Sequence, residues 1–431
     1  MVVVLGVGFF YGILRAKFFD GFSHFMFDAA SLGLYLARFT SPGGLRALPQ
    51  TRALYRWAGV LIGWPVVMFG MGILYPIHPL VQLVGLRAAV WFLPFLLLGA
   101  SARLQDLILV ARALAVLNLA ALAFAMGEYF LGIEPFFPRN GVTEIMYRSH
   151  DVAHFEHHRI PATFLASAAY GSVMVGTIPW LAGRWQMPGV ALLERGLLSA
   201  GLLAAALGTF LCGSRTPVVL LLVTGPIVAY HFRVKLRYLI GALVLAAIVA
   251  YFVAGDERMQ RFTTLEDTDM VNDRVAQSAN VGFLELPLEY PLGAGLGSAW
   301  GTSIPAFLAH LAPPAIGAEN EYARIGIEQG LVGLTFWLGF LCWFFCRRRR
   351  ALLPGWELGG KLMFIYALLI WGTAWIAVGS LTAIPGTSII LFQMGVLGRE
   401  RAVGVPVPPR SVRRTAGRLQ LADSTSPGRG T

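Results

Sequence analysis

Residues 107–131 read LILVARALAVLNLAALAFAMGEYFL, an apolar run in which Arg112 and Glu128 are the charged residues. A helix of about 20 such residues crosses the hydrocarbon core of a bilayer, where lipid offers the backbone no hydrogen-bond partners. Similar runs recur along the chain, which is 56% hydrophobic and 13% charged with a mean hydropathy of +0.65. A soluble domain carries about 25% charged residues. The sequence therefore predicts an all-α fold, a polytopic membrane protein with about twelve transmembrane helices.

The apolar runs also divide the chain into regions. Residues 1–254 hold the first nine spans with a smaller outward loop at 132–160, and residues 325–400 hold the last three. Residues 255–324 form a large extracytoplasmic loop that we expect to be partly helical. Residues 401–431, rich in Pro, Gly, Ser and Arg, are expected to form a disordered basic cytoplasmic tail. The twelve predicted spans are 1–14, 23–37, 58–75, 88–100, 107–131, 161–182, 196–212, 216–230, 238–254, 325–346, 362–379 and 386–398.

The basic residues predict the orientation. The formal net charge is +11, but the charges lie between apolar runs and in the tail, an arrangement that sets topology rather than binding nucleic acid. One set of alternate connections holds 22 Lys and Arg residues and the other holds 11. The positive-inside rule then places both termini in the cytoplasm and the loops 132–160 and 255–324 outside. Arg15 and Lys17 lie on the side that this rule disfavours.

Neither the cysteines nor the N-terminus indicates further chemistry. Cys212, Cys342 and Cys346 all lie in apolar runs, which gives neither a disulfide framework nor a zinc pattern. No redox cofactor is implied. Residues 1–14 lack a basic n-region and a cleavage site, so we interpret them as a short first span, and the start of the protein could lie upstream.

Three arginines on the outward side are not needed for topology: Arg159, Arg215 and Arg274. Arg215 lies in a minimal turn between two apolar runs, where a guanidinium is costly unless it reaches the interface or meets an anion. Guanidinium binds phosphate through two parallel, charge-assisted hydrogen bonds. Extension of the side chain to the interface is the alternative interpretation for Arg215.

The end of the large loop is dense in glycines and acids. The stretch YPLGAGLGS at 290–298 does not follow a parallel strand, so it predicts a tight turn with exposed backbone N–H groups rather than a nucleotide site. The stretches ENEY at 319–322 and EQGLVGL at 328–334 follow it. Capping of a helix N-terminus is one explanation for their acids, Glu319, Glu321 and Glu328.

The smaller loop contains HDVAHFEHH at 150–158, in which His154 and His158 would share a helical face. These residues could ligate zinc, but neither His-Glu-x-x-His nor a Cys-His pattern is present. A polar, solvated loop is the better interpretation, and we predict no metal site.

Taken together, these stretches resemble the O-antigen ligase and O-antigen polymerase superfamily, bacterial membrane glycosyltransferases that use polyprenyl-diphosphate-linked glycans. The resemblance covers most of the chain. It includes RIPATF at 159–164, the Ser-Arg-Thr turn at 214–216, an arginine in the large loop, the glycine stretch, and the two acidic stretches that follow it.

The resemblance implies a multi-pass protein of the bacterial inner membrane that needs no cofactor and works in polysaccharide biosynthesis. The donor would be a polyprenyl-diphosphate-linked glycan, as in lipopolysaccharide synthesis, and the acceptor a hydroxyl of a glycan or lipid. The implied catalytic residues are Glu319, Arg215 and Arg274. The implied substrate-binding residues are Arg159, Asn320, Tyr322, Gly295 and Gly297.

One departure from the family pattern concerns Glu319, which stands where the ligases carry a functional histidine. Glutamate can also accept a proton, but its negative charge beside a diphosphate needs compensation from the arginines. Two other function classes therefore stay open. One is a transporter or flippase of a lipid-linked or anionic substrate, which would place charge near mid-span. The other is a non-catalytic member of the family.

Overall fold

The computed structural model describes residues 1–18, 22–41, 51–140, 143–147, 158–231, 276, 285–299, 304–314, 316–317, 320–347, 353–375 and 381–399. The predicted span at 238–254, the tail, most of the large loop and most of the histidine-rich stretch lie outside these residues.

The described secondary structure is helical, and the β-bridge between Ala299 and Ile316 is isolated. A 3-10 turn at Phe22–Phe25 precedes the third helix. The helices are α1 (Val2–Phe9), α2 (Tyr11–Lys17), α3 (Met26–Thr40), α4 (Arg52–Gly70), α5 (Pro79–Val90), α6 (Pro94–Ser101), α7 (Leu104–Leu131), α8 (Glu144–Tyr147), α9 (Ser167–Trp185), α10 (Leu192–Leu211), α11 (Arg215–His231), α12 (Leu286–Glu289), α13 (Glu321–Cys346), α14 (Glu357–Thr373) and α15 (Gly386–Leu397).

Five helical segments of the described chain are long and apolar enough to cross a membrane. This confirms the prediction of an α-helical membrane protein, whereas the full set of twelve spans stays a prediction. Shorter apolar helices are Arg215–Tyr230 and Gly386–Leu397. The five longer segments are Arg52–Gly70, Pro79–Ser101, Leu104–Leu131, Leu192–Leu211 and Glu321–Cys346.

One helix begins later than expected because polar contacts compete with helix formation. The run expected to be helical from residue 161 becomes helical at Ser167. The reason is that Ala162 adopts a φ of 52° and donates its N–H to Glu128 at 2.9 Å, while the Thr163 carbonyl accepts the N–H of Gly12 at 2.9 Å. The stretch before Ser167 therefore forms a non-helical turn against α2 and α7, in which the N–H of Phe164 donates to the Pro161 carbonyl at 3.0 Å.

Hydrogen bonds between distant connections define two ends of the bundle. At one end, which we call the loop end, the hydroxyl of Tyr75 donates to the Leu292 carbonyl at 3.1 Å and the N–H of Glu321 donates to the Ala374 carbonyl at 3.0 Å. At the other, the tail end, Arg399 donates to the Ala100 carbonyl at 2.9 Å. Segments that the distribution of basic residues assigns to the same side of the membrane are therefore hydrogen-bonded to each other.

Small residues let helices approach closely. A Cβ atom on Gly99 would clash with the Phe392 carbonyl, and one on Gly395 would clash with the Leu96 carbonyl. Helices α6 and α15 therefore pack backbone to backbone, as is common where lipid gives no hydrophobic drive for association.

Candidate functional site

The glycine stretch forms the expected tight turn at the loop end. Gly293, Gly295 and Gly297 have φ values of 86°, 100° and 85°, which residues with a Cβ rarely adopt. The hydroxyl of Ser298 donates to the Gly295 carbonyl at 2.7 Å and closes the turn.

This turn lies against the first part of α13. The N–H of Ala294 donates to the Ile327 carbonyl at 2.6 Å, and the N–H of Gly297 donates to Oε1 of Glu328 at 3.2 Å. Gly330 interrupts the helix with a φ of 69°. The glycine stretch and the Glu-x-Gly stretch are therefore one structural unit.

A group of three buried charges lies at the start of α13. Glu321, Arg324 and Glu328 each have 0% exposure. The Nε of Arg324 donates to Oε1 of Glu321 at 2.7 Å, and its Nη1 donates to Oε2 of Glu328 at 2.8 Å. A buried guanidinium between two carboxylates has the compensation that burial of charge requires. The spacing of three and four residues along a helix brings these side chains together.

The N-cap of α13 is neither Glu321 nor Glu328. The side chain of Asn320 is the cap, because it accepts the N–H of Ala323 at 2.6 Å. Glu321 lies in the first turn of α13, where the helix dipole favours an acid, whereas Glu328 lies beyond that turn and the N-terminus does not explain it. Sequence reasoning missed Arg324, although its spacing from the two glutamates was a usable signal.

Two predicted substrate-binding residues have partners within the protein. Asn320 is fully buried as the cap of α13. Tyr322 is 4% exposed and donates its hydroxyl to the Trp371 carbonyl at 2.7 Å. These contacts support a structural role for Asn320 and Tyr322, and contact of either residue with a substrate stays a prediction.

The two described arginines of the predicted site flank the start of α9. Arg159 is half-buried and directly precedes the non-helical stretch that ends where α9 begins at Ser167. Arg215 is half-buried and is the first residue of α11. A Cβ on Gly171 of α9 would lie 2.9 Å from Pro217, so α9 and α11 are in close contact beside Arg215.

A mainly apolar cavity of about 240 Å³ lies between α9, α11, α14 and α15. Its lining includes Thr216, the neighbour of Arg215, and Thr373, the neighbour of Ala374. The Ala374 carbonyl accepts the N–H of Glu321, the first residue of α13. One side of the cavity is therefore close to the Arg215 turn, and another side is close to the start of α13.

The first part of the smaller loop packs on the end of α2. Tyr147 donates its hydroxyl to the Phe137 carbonyl, and the guanidinium of Arg139 lies 4.7 Å from the ring centroid of Tyr147. Burial raises the pKa of the Tyr147 phenol, and the Glu134 carboxylate raises it further while Arg139 opposes both. Tyr147 and Arg139 hold the first part of the smaller loop in place.

Two predicted catalytic residues, Arg274 and Glu319, lie outside the described residues. Their convergence with Arg215 stays a prediction. Among the described residues, no group of three or more His, Cys, Asp and Glu side chains is placed to hold a metal ion.

Comparisons with protein-family models and with curated protein sequences find no match. The fold and composition define the class: this chain is an α-helical membrane protein, and a lipid bilayer is its environment.

Proposed function

We propose that this protein transfers a polyprenyl-diphosphate-linked glycan to a hydroxyl acceptor on the extracytoplasmic face of a bacterial inner membrane. Arg215 and Arg274 would bind the diphosphate, Arg159 would assist them, and Glu319 would orient or deprotonate the acceptor. The twelve spans, the cytoplasmic termini and the outward loops belong to this proposal.

The position of the apolar cavity carries the proposal. A lipid-linked donor needs an apolar site for part of its chain beside cations for its diphosphate. Arg215 precedes Thr216, which lines the cavity. The start of α13 is hydrogen-bonded to Ala374, which follows a second lining residue, Thr373. Glu319 directly precedes Asn320, the cap of that helix.

The chemistry follows from the charges. The acceptor oxygen attacks the anomeric carbon, and the bond between that carbon and the diphosphate oxygen breaks. The hydroxyl proton passes to Glu319, and the bonding electrons leave with the diphosphate. Fixed guanidiniums in a site of low dielectric stabilise this developing charge, so the chemistry needs no metal ion.

The contacts of Arg112 and Asp28 bear on the transporter alternative. Arg112 makes two hydrogen bonds to Glu194, at 2.8 and 2.9 Å, and Arg87 donates to Asp28 at 2.8 Å. These side chains are engaged in ion pairs within the protein, which disfavours a transport path through them. The interruption of α13 at Gly330 favours the alternative, because transporters bind substrates at broken helices.

An assay of purified protein in proteoliposomes separates these classes. With a lipid-linked glycan donor and a glycan or lipid acceptor, transfer predicts a new glycosidic bond and release of polyprenyl diphosphate. Arg215→Ala should reduce product formation, whereas Arg195→Ala, at the exposed start of α10, should not. Movement of intact donor across the bilayer without a new bond would establish the transporter class. Absence of both activities would favour a non-catalytic role.

A further inference from the structure

A second group of charged side chains lies inside the loop end. It comprises Arg15 on α2, His24 in the 3-10 turn, Asp28 on α3 and Arg87 on α5, and we call it the Arg15 cluster. Arg15 and His24 are 5% and 2% exposed. The side chains of Arg87 and Asp28 are 15% and 11% exposed, so they form its rim.

Short contacts hold the cluster together. The Nε of Arg87 donates to Oδ2 of Asp28 at 2.8 Å. The hydroxyl of Tyr11 donates to the His24 carbonyl at 2.9 Å, and the guanidinium of Arg15 lies 5.9 Å from the centroid of the Tyr11 ring. Tyr11 and Arg15 are four residues apart, so they share the face of α2 that meets His24.

The charges in the cluster do not balance. Two guanidiniums face one carboxylate, and Arg15 is close enough to Arg87 for the two to repel one another. Nε of Arg15, Nη2 of Arg87 and both ring nitrogens of His24 are buried without a hydrogen-bond partner among the described residues. Buried polar groups are normally hydrogen-bonded, and buried cations normally have an anion.

The rim of the cluster is close to the apolar surface of the bundle. Leu80 and Leu83 precede Arg87 on the same face of α5 and are 46% and 50% exposed. Leu32 and Leu36 follow Asp28 on the same face of α3 and are 45% and 55% exposed. A bilayer would cover these leucines, so the rim of the cluster lies beside lipid.

We propose that the Arg15 cluster binds a phosphate group, supplied by a membrane lipid headgroup or by free phosphate. Arg15 and Arg87 donate hydrogen bonds to its oxygens, because guanidinium matches phosphate in geometry and charge. His24 donates a further bond from one ring nitrogen. Asp28 holds Arg87 in position. This site is distinct from Arg159 and Arg215, and it does not depend on glycan transfer.

Thermal unfolding of the full chain tests the site, because a ligand that binds the folded state raises the Tm. In detergent, sodium phosphate is compared with sodium chloride at equal ionic strength. In nanodiscs, phosphatidylcholine alone, whose phosphate charge is neutralised by choline, is compared with phosphatidylcholine plus phosphatidylglycerol, whose phosphate leaves a net negative charge. A rise in Tm with phosphate in detergent identifies free phosphate as a ligand, and a rise only with phosphatidylglycerol identifies the lipid.

Arg15→Met should reduce the apparent affinity for the active anion about tenfold or more. Arg195→Met is the matched control at the tail end, where that arginine stacks on Trp185 at 5.9 Å, and it should leave the response unchanged. An equal response of wild type and Arg15→Met would overturn the proposal. So would a wild type that responds to neither anion.

Asp28→Asn provides a second test that does not require Arg15→Met to fold. Asparagine still accepts a hydrogen bond from Arg87 but removes the competing negative charge. An anion site predicts tighter phosphate binding in this variant. If the cluster is only a structural ion pair, Asp28→Asn lowers the Tm and leaves the anion response as in the wild type, which contradicts the proposal.

Discussion

Oε1 of Glu328 accepts the backbone N–H of Gly297 at 3.2 Å while Oε2 of the same carboxylate accepts Nη1 of Arg324 at 2.8 Å. One side chain therefore connects the glycine turn to the buried charges of α13. The relationship explains why two stretches that are separate in sequence form one surface at the loop end. It also makes the turn dependent on the side chain of Glu328.

Substitution of Glu328 tests this dependence. Glu328→Ala leaves Arg324 with a single carboxylate in a fully buried site and should cost about 3–5 kcal/mol of stability. Glu328→Gln keeps an acceptor for the Gly297 N–H and should cost less. Glu357→Gln, on an exposed position of α14, is the control and should be neutral. Thermal unfolding in detergent measures all three, and equal Tm values for Glu328→Ala and Glu357→Gln would contradict the prediction.

The sequence predicts the helices better than it predicts the site. The apolar run at 107–131 predicted a helix that the structure places at Leu104–Leu131, because hydropathy alone determines such an element. The non-helical stretch before Ser167 was missed, because its conformation depends on contacts with α2 and α7. A local sequence pattern such as hydropathy carries no information about contacts between segments that are distant in the chain.

The positions of Arg15 and Lys17, on the side that the positive-inside rule disfavours, are also explained by tertiary contacts and not by the sequence. Lys17 donates to the Pro135 carbonyl at 3.0 Å, and Arg15 is 5% exposed within its cluster. Lys17 has a partner in the protein and Arg15 is buried within the bundle, so the position of these two charges is compatible with the predicted orientation. Arg324 differs from them, because its partners are three and four residues away along the chain. It was missed because the predicted loop 255–324 ended at that residue.

Close helix packing gives a second stability prediction. Gly395→Ala should destabilise the protein by about 1–3 kcal/mol, because its Cβ would clash with the Leu96 carbonyl of α6. Gly372→Ala is the matched control on α14, where an added Cβ meets nothing within 4 Å. Alanine is the better helix former, so this control should be neutral or stabilising. Thermal unfolding of both variants is the measurement, and a control that falls as far as Gly395→Ala would refute the packing argument.

The predicted orientation is open to cysteine labelling in intact cells. In a background without Cys212, Cys342 and Cys346, a membrane-impermeant thiol reagent should label Thr268→Cys in the large loop. It should label Arg349→Cys only after the cells are permeabilised, since 22 basic residues mark that side against 11 on the other. Labelling of Arg349→Cys from outside would reverse the orientation and with it the proposed site.

A catalytic role of Arg215 in glycan transfer can be distinguished from a structural role. Loss of one fixed charge-stabilising donor costs about 10²–10³ in rate, so Arg215→Ala should lose most activity while the protein still accumulates. Arg215→Lys should restore transfer only in part, because ammonium keeps the charge but lacks the planar fork. Initial rates of product formation measure both variants beside Arg195→Lys as a control. Full activity of Arg215→Lys would show that charge alone is sufficient.

Glu319 provides the sharpest test of the mechanism. Glutamine keeps the size and hydrogen bonding of glutamate but cannot take up a proton, so Glu319→Gln should abolish most transfer if Glu319 is the base. Glu319→His should retain activity, since imidazole also accepts a proton and the enzymes that this chain resembles carry histidine there. Glu357→Gln is the control for loss of a glutamate charge elsewhere. Because Asn320 already caps α13, a loss of activity in Glu319→Gln cannot be ascribed to an uncapped helix. Transfer that survives Glu319→Gln unchanged would remove this residue from the mechanism and leave the arginines as a binding site without a base.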